Sequence, residues 1–92
     1  MTIRWSPEAL EDLSRLYEFL LPAAEPAANR VVQNLAFAPR RPLQHPRMGK
    51  QVPNFSAREV RRLIVGEYEM RYEIAGQLLS ILRIWHTRED RS

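Results

Sequence analysis

Apolar and polar positions change rhythm along the chain. Between Pro7 and Leu21, the residues Leu10, Leu13, Leu16, Tyr17, Leu20 and Leu21 recur every three or four positions, which is the spacing of one buried stripe on an amphipathic helix. Glu8, Glu11, Asp12, Arg15 and Glu18 take the opposite, solvated side, with Glu11 and Arg15 spaced for an ion pair one turn apart. A short β-like opening, Thr2 to Trp5, precedes this helix. Ser6 can cap it by accepting from a free first-turn amide, and Pro7 fits the first helical position, where no donor is needed. Trp5 and Leu10 are spaced for a hydrophobic staple across the cap. Pro22 should end the helix and Pro26 begin a second after a tight connection. Ala28, Val31, Val32 and Leu35 then mark the buried face of Ala27 to Ala38.

The period shortens to two after a proline-rich stretch. Val60–Val65, Tyr68–Ala75 and Leu78–Trp85 are rich in β-branched and aromatic residues, and Gly66 and Gly76 stand where hairpin turns require positive φ. In the middle run Tyr68, Met70, Tyr72 and Ile74 face one way and Glu69, Arg71 and Glu73 the other, so one face should be packed and the other wet. The last run has apolar residues on both sides, as a central strand with both faces covered would. Between the helical and β halves, Pro39 to Pro53 holds four of the seven prolines, and Leu43, Met48, Val52 and Phe55 punctuate it as anchors of a structured loop. The expected fold class is α+β: an antiparallel helix hairpin packed on a four-stranded antiparallel sheet in the order β-α-α-β-β-β, as one domain over residues 1–92.

Composition narrows the chemistry. There is no cysteine, so disulfides and thiolate metal sites are excluded. Neither an apolar run long enough to span a membrane nor a signal-peptide core is present, and a cytoplasmic protein is expected. His45 is a lone loop histidine without a second ligand at metal spacing. Charge is unevenly placed: residues 1–38 hold three basic and five acidic side chains, residues 39–92 eleven and six. Such a cationic region suits an acidic protein or nucleic acid as partner. His86 follows the last strand between Arg83 and Arg88 and could transfer a proton, but no nucleophile, metal set or phosphate loop accompanies it.

Four stretches resemble one family in order and spacing. They are Trp5-Ser6-Pro7-Glu8-Ala9 with Asp12-Leu13, Pro46-Arg47-Met48-Gly49, Arg62-Leu63 with Tyr68-x-Met70-x-Tyr72, and Ile81-Leu82-Arg83-Ile84-Trp85-His86-x-Arg88. Together they resemble the ParE/RelE toxins of bacterial type II toxin–antitoxin systems over nearly the whole chain. The resemblance implies a small toxin held silent by a cognate antitoxin encoded beside it. RelE-like members cleave messenger RNA on the ribosome, whereas ParE-like members poison DNA gyrase.

Three features favour the ParE side. Where RelE-like nucleases carry a strand arginine that stabilises the transition-state phosphate, this chain has Glu69, whose charge would repel a phosphodiester. The chain continues past His86 with Thr87-Arg88-Glu89-Asp90, and the loop holding Pro46-Arg47-Met48-Gly49 resembles the ParE form. The expected function is therefore a gyrase inhibitor without cofactor, metal or catalytic residue, with Arg61, Arg62, Arg83, His86 and Arg88 as target-binding residues on a cationic end of the sheet. In the alternative, a ribosome-dependent endoribonuclease, His86 would be general acid or base, with Arg62 and Arg83 as charge stabilisers. A third alternative is a non-toxic antitoxin-binding module. The expected partners are a ParD-like antitoxin in a hetero-oligomer and gyrase, with DNA met only indirectly through either. Phe19 lies off the main helical stripe and the last strand has surplus apolar surface, so Phe19, Leu20 and Trp85 are the expected antitoxin anchors.

Overall fold

The computed structural model describes residues 1–21 and 25–89. Its elements are β1 (Thr2–Trp5), α1 (Pro7–Leu20), α2 (Glu25–Phe37), α3 (Arg40–Gln44), β2 (Lys50–Gln51), β3 (Glu59–Val65), β4 (Tyr68–Ala75) and β5 (Leu78–His86). The expected turn through Pro22 lies outside the described residues. Gly66 and Gly76 carry φ near +60°, as the two hairpins of the β3–β4–β5 meander demand.

The sheet has five strands in the order β1-β5-β4-β3-β2 and is mixed, which corrects the expectation of four antiparallel strands. β1 pairs with β5 in parallel, Thr2 opposite Leu78 and Trp5 opposite Ile81. The fifth strand is a two-residue segment of the proline-rich loop, Lys50 and Gln51 opposite Arg62 and Arg61. The loop also holds the short helix α3, with Pro39 and Pro42 buried. A two-residue strand leaves no alternation to read and a parallel pairing leaves no turn signal.

The helices cover one face of the sheet. Ala9 and Leu16 of α1 and Leu35 of α2 close over Leu63, Tyr68, Met70, Tyr72, Leu79, Ile81 and Ile84. The buried stripe of α1 is rotated from the expected one: Ala9, Asp12 and Leu16 are buried, while Leu10 is 52% exposed. Leu10 thus lies outside the stripe that Trp5 joins. Asp12 is not solvated as expected, because β5 supplies its partners.

The two-sided apolar pattern of β5 has a local cause. Tyr72 stands opposite Ile81 and Arg71 opposite Arg83, so Leu82 is one residue too many, a β-bulge. The bulge shifts the inward parity from Leu79 and Ile81 to Ile84, so apolar residues of both parities serve the same core. Beyond Trp5, among the described residues, no strand lies beside the outer edge of β5, and α1 takes over. Ser6 Oγ accepts from the Ala9 amide at 3.0 Å as the helix cap and donates to the Leu82 carbonyl at 2.9 Å, while Asp12 accepts from the Ile84 amide at 2.8 Å. The helix start therefore satisfies the polar groups that β1 leaves unpaired on that edge.

Candidate functional site

Two surfaces on opposite faces of the sheet collect the candidate residues. On the helix side, the C-terminal half of α1 and the end of β5 enclose an apolar groove of about 590 Å³ lined by Leu16, Phe19, Leu20, Tyr68, His86 and Arg88. Phe19 is 79% exposed and so projects its ring to solvent at the groove. Arg15 ties α1 to the chain beyond β5, through Nη1 to Glu89 at 2.7 Å and through Nη2 to the Ile84 carbonyl at 3.4 Å. This pairing replaces the expected one with Glu11, and the Glu89 hydrogen bond raises the Arg15 pKa.

His86 belongs to this groove. Its ring meets Tyr68, directly opposite on β4, edge-on at 5.3 Å between centroids. Nδ1 accepts from the Arg88 amide at 3.1 Å, which leaves Nε2 directed to the solvent side, 3.8 Å from Glu67. Burial pushes the Tyr68 phenol above its ordinary value.

The second surface is the sheet face away from the helices. Here Lys50, Arg62, Arg71 and Arg83 are successive cross-strand partners on β2, β3, β4 and β5. Two register positions along, in the next row on this face, stand Ile64, Glu69 and Trp85. Glu69 is buried, not on a wet face as its alternation suggested, because arginines surround it: Arg71 Nε donates to it at 3.1 Å and Arg62 Nη1 lies 3.8 Å away. Trp85 is flanked by two guanidinium groups, Arg71 at 4.8 Å and Arg83 at 5.1 Å from the ring centroid. Arg83 is in turn anchored to Asp12 by Nε at 2.9 Å and Nη2 at 3.2 Å, a bond that raises its pKa.

The loop that carries β2 is fastened to the sheet by Tyr72. Its hydroxyl donates to the Pro46 carbonyl at 2.7 Å and accepts from the Gly49 amide at 3.0 Å. Arg61 adds a bond to the Gly49 carbonyl at 2.8 Å and one to Glu59 at 2.9 Å. The Pro46–Gly49 and Tyr68–Tyr72 stretches that stood out in the sequence are thus the two halves of one latch.

The five expected target-binding residues do not form one cationic end. Arg62 and Arg83 share the row on the open face, His86 and Arg88 flank the apolar groove, and Arg61 is spent on the loop latch. The nuclease constellation is separated as well: His86 is on the helix side, Arg62 is on the other, and the Arg83 guanidinium is held at the β5 edge by Asp12. Among the expected antitoxin anchors, Phe19 and Leu20 stand together in the groove, but Trp85 lies on the opposite face. Sequence spacing missed Lys50 and Arg71, whose membership of the row depends on strand register. Among the described residues no cluster of three or more His, Cys, Asp or Glu could hold a metal ion, and no helix is long and apolar enough to cross a membrane.

No curated relative matches the chain. Among solved structures, a chain of the chromosomal ParDE toxin–antitoxin system from P. aeruginosa is similar, with a TM-score of 0.73 and 26% identity over 94% of this chain and 95% of that one. The family model for the ParE toxin of type II toxin–antitoxin systems, parDE, matches residues 3–91. With the helix pair, the mixed sheet and the latched loop all inside that match, the chain belongs to the ParE toxins of type II toxin–antitoxin systems.

Proposed function

We propose that this toxin acts in the cytoplasm by binding DNA gyrase, without chemistry of its own, and that a ParD-like antitoxin silences it by occupying the apolar groove. The observation that carries the choice of target is that His86 stands on the helix side of the sheet and Arg62 on the other, while the Arg83 guanidinium is taken up by Asp12. A general acid or base must come within hydrogen-bond reach of the atom it protonates, and the charge stabilisers must face the same phosphate. Buried Glu69, at the position where related nucleases carry an arginine, supports the same reading.

The antitoxin proposal rests on the groove. A ring as exposed as Phe19, beside Leu20 and rimmed by Arg15, Arg88, Glu67 and Glu89, suits an amphipathic segment that folds on binding, with apolar side chains inward and charged ones at the rim. An antitoxin that also reaches Trp85 has to pass round the edge of β5. Primer extension on translated messages after induction of the toxin tests the choice of target. The expected result is growth arrest without new cleavage sites; cleavage within codons that disappears in His86→Ala would favour the endoribonuclease instead.

A further inference from the structure

We propose that the row Lys50–Arg62–Arg71–Arg83 is a direct contact surface for the phosphodiester backbone of DNA. This deepens the gyrase proposal, on which the choice of DNA rests, and departs from the expectation that DNA is met only through a partner protein. The four residues are register partners on four adjacent strands, so their side chains leave the sheet on one face and along one line, with the Arg83 guanidinium turned toward Asp12 of α1 at the β5 edge. Three strand spacings of ~4.8 Å make that line ~14 Å long, about the axial length of four phosphate-to-phosphate steps on one strand of a duplex at ~3.4 Å each.

Like charges directly opposite one another destabilise a sheet, so an uninterrupted cationic row is a costly surface unless something offsets it. Glu69 and Asp12 offset two of the four charges and at the same time fix the guanidinium groups of Arg71 and Arg83. Trp85, between those two arginines, holds them from below. The result is a row in which Arg71 and Arg83 are held in place before any ligand arrives. Beside the row lies an open concavity of about 590 Å³ between Arg62, Arg71 and the Lys50–Phe55 segment. The even spacing of the row suits a polyanion of regular repeat, whereas an acidic peptide would be anchored on Ile64 and Trp85 of the same face as well as on charge.

Fluorescence anisotropy of the purified full-length toxin, without gyrase or antitoxin, with a labelled mixed-sequence DNA duplex tests the assignment. Binding should be weak and salt-dependent, with log K falling against log salt at a slope of about −2 to −3, or ~0.9 for each of two to three phosphates. Lys50→Ala with Arg62→Ala should reduce that slope by about two and weaken binding at least ~10-fold. Arg30→Ala, on the exposed side of α2, should leave binding unchanged, and thermal melts of all variants check the fold. Arg71 is left intact because its loss would strand buried Glu69.

Four results would overturn the assignment: no binding at low salt, binding retained by the double variant, equal or tighter binding to a matched RNA duplex, or displacement of DNA by polyglutamate at equal charge. Since gyrase is absent from the assay, inhibition of supercoiling by a toxin that binds no DNA would sink this inference and leave the gyrase proposal standing.

Discussion

The Asp12 carboxylate accepts the amide of Ile84, 72 residues further along the chain, at 2.8 Å. The same carboxylate takes two hydrogen bonds from Arg83, so a single side chain joins α1 to β5 beyond the point where the pairing of β1 with β5 ends. Asp12→Ala leaves a buried amide unsatisfied and frees Arg83, and should cost about 2–3 kcal/mol in urea denaturation. Arg83 is 44% exposed at its side chain and recovers water, which keeps the loss below that of a fully buried pair. Asp12→Asn keeps an acceptor for Ile84 and should lose about 1 kcal/mol. Equal losses for the two variants would mean that charge, not the amide bond, dominates.

Gly49 is needed for space. A Cβ there would lie 2.6 Å from the Tyr72 hydroxyl and 2.7 Å from the Arg62 carbonyl, and the carbonyl cannot move without disturbing the pairing of β2 with β3. Gly49→Ala should therefore destabilise by about 1–3 kcal/mol, as overpacking does. Gly66 meets nothing within 4 Å but has φ +60°, so Gly66→Ala should cost about 1 kcal/mol from the backbone alone. Chemical denaturation of both variants checks the pair, and a neutral Gly49→Ala would mean that the loop is not latched to Tyr72.

Much of this architecture was legible in the residues. Ser6-Pro7 and the apolar period gave α1, and the two glycines gave the meander. What the pattern could not give depends on pairing between distant segments. Leu82 cannot be recognised as a bulge without the register of β4, and Asp12 looks solvated until Ile84 and Arg83 are placed beside it. Glu69 alternates with core residues like any wet-face carboxylate, and only its arginine neighbours make its burial tolerable. At the candidate site, composition located the arginines but not their faces. Arg61, Arg62 and Arg83 are all basic and near one another in the fold, yet one fastens a loop and two stand in the row.

Acid should weaken the sheet through two carboxylates. Glu73 receives two bonds from Arg58, and Glu59 one each from Arg61 and Arg47, which hold both carboxyl groups below the ordinary range. A folded-state pKa below the unfolded value of about 4.3 contributes stability that is present above that value and lost as pH falls through the folded one. Melting temperature should thus decline from about pH 4.5 downward. Glu59→Gln with Glu73→Gln should flatten that acid limb; an unchanged limb would place the acid sensitivity elsewhere.

Phe19 offers a test of the antitoxin surface that is nearly free of fold effects, because the ring is largely in solvent. Phe19→Ala should leave stability within about 0.5 kcal/mol and weaken antitoxin binding by about 2 kcal/mol or more, measured by calorimetry. High salt should slow association more than it speeds dissociation, since the rim is charged, with Arg15, Arg88, Glu67 and Glu89. Trp85→Ala, tested alongside with its fold verified, asks whether the antitoxin continues round the β5 edge. Unchanged affinity in Phe19→Ala would move the antitoxin off the groove.

The most direct test of the account is plasmid supercoiling by purified gyrase in the presence of the purified toxin. Stoichiometric toxin should block supercoiling or trap cleaved DNA, His86→Ala should do so as well as the wild type, and prior addition of antitoxin should restore activity. Full supercoiling in the presence of excess folded toxin would contradict it.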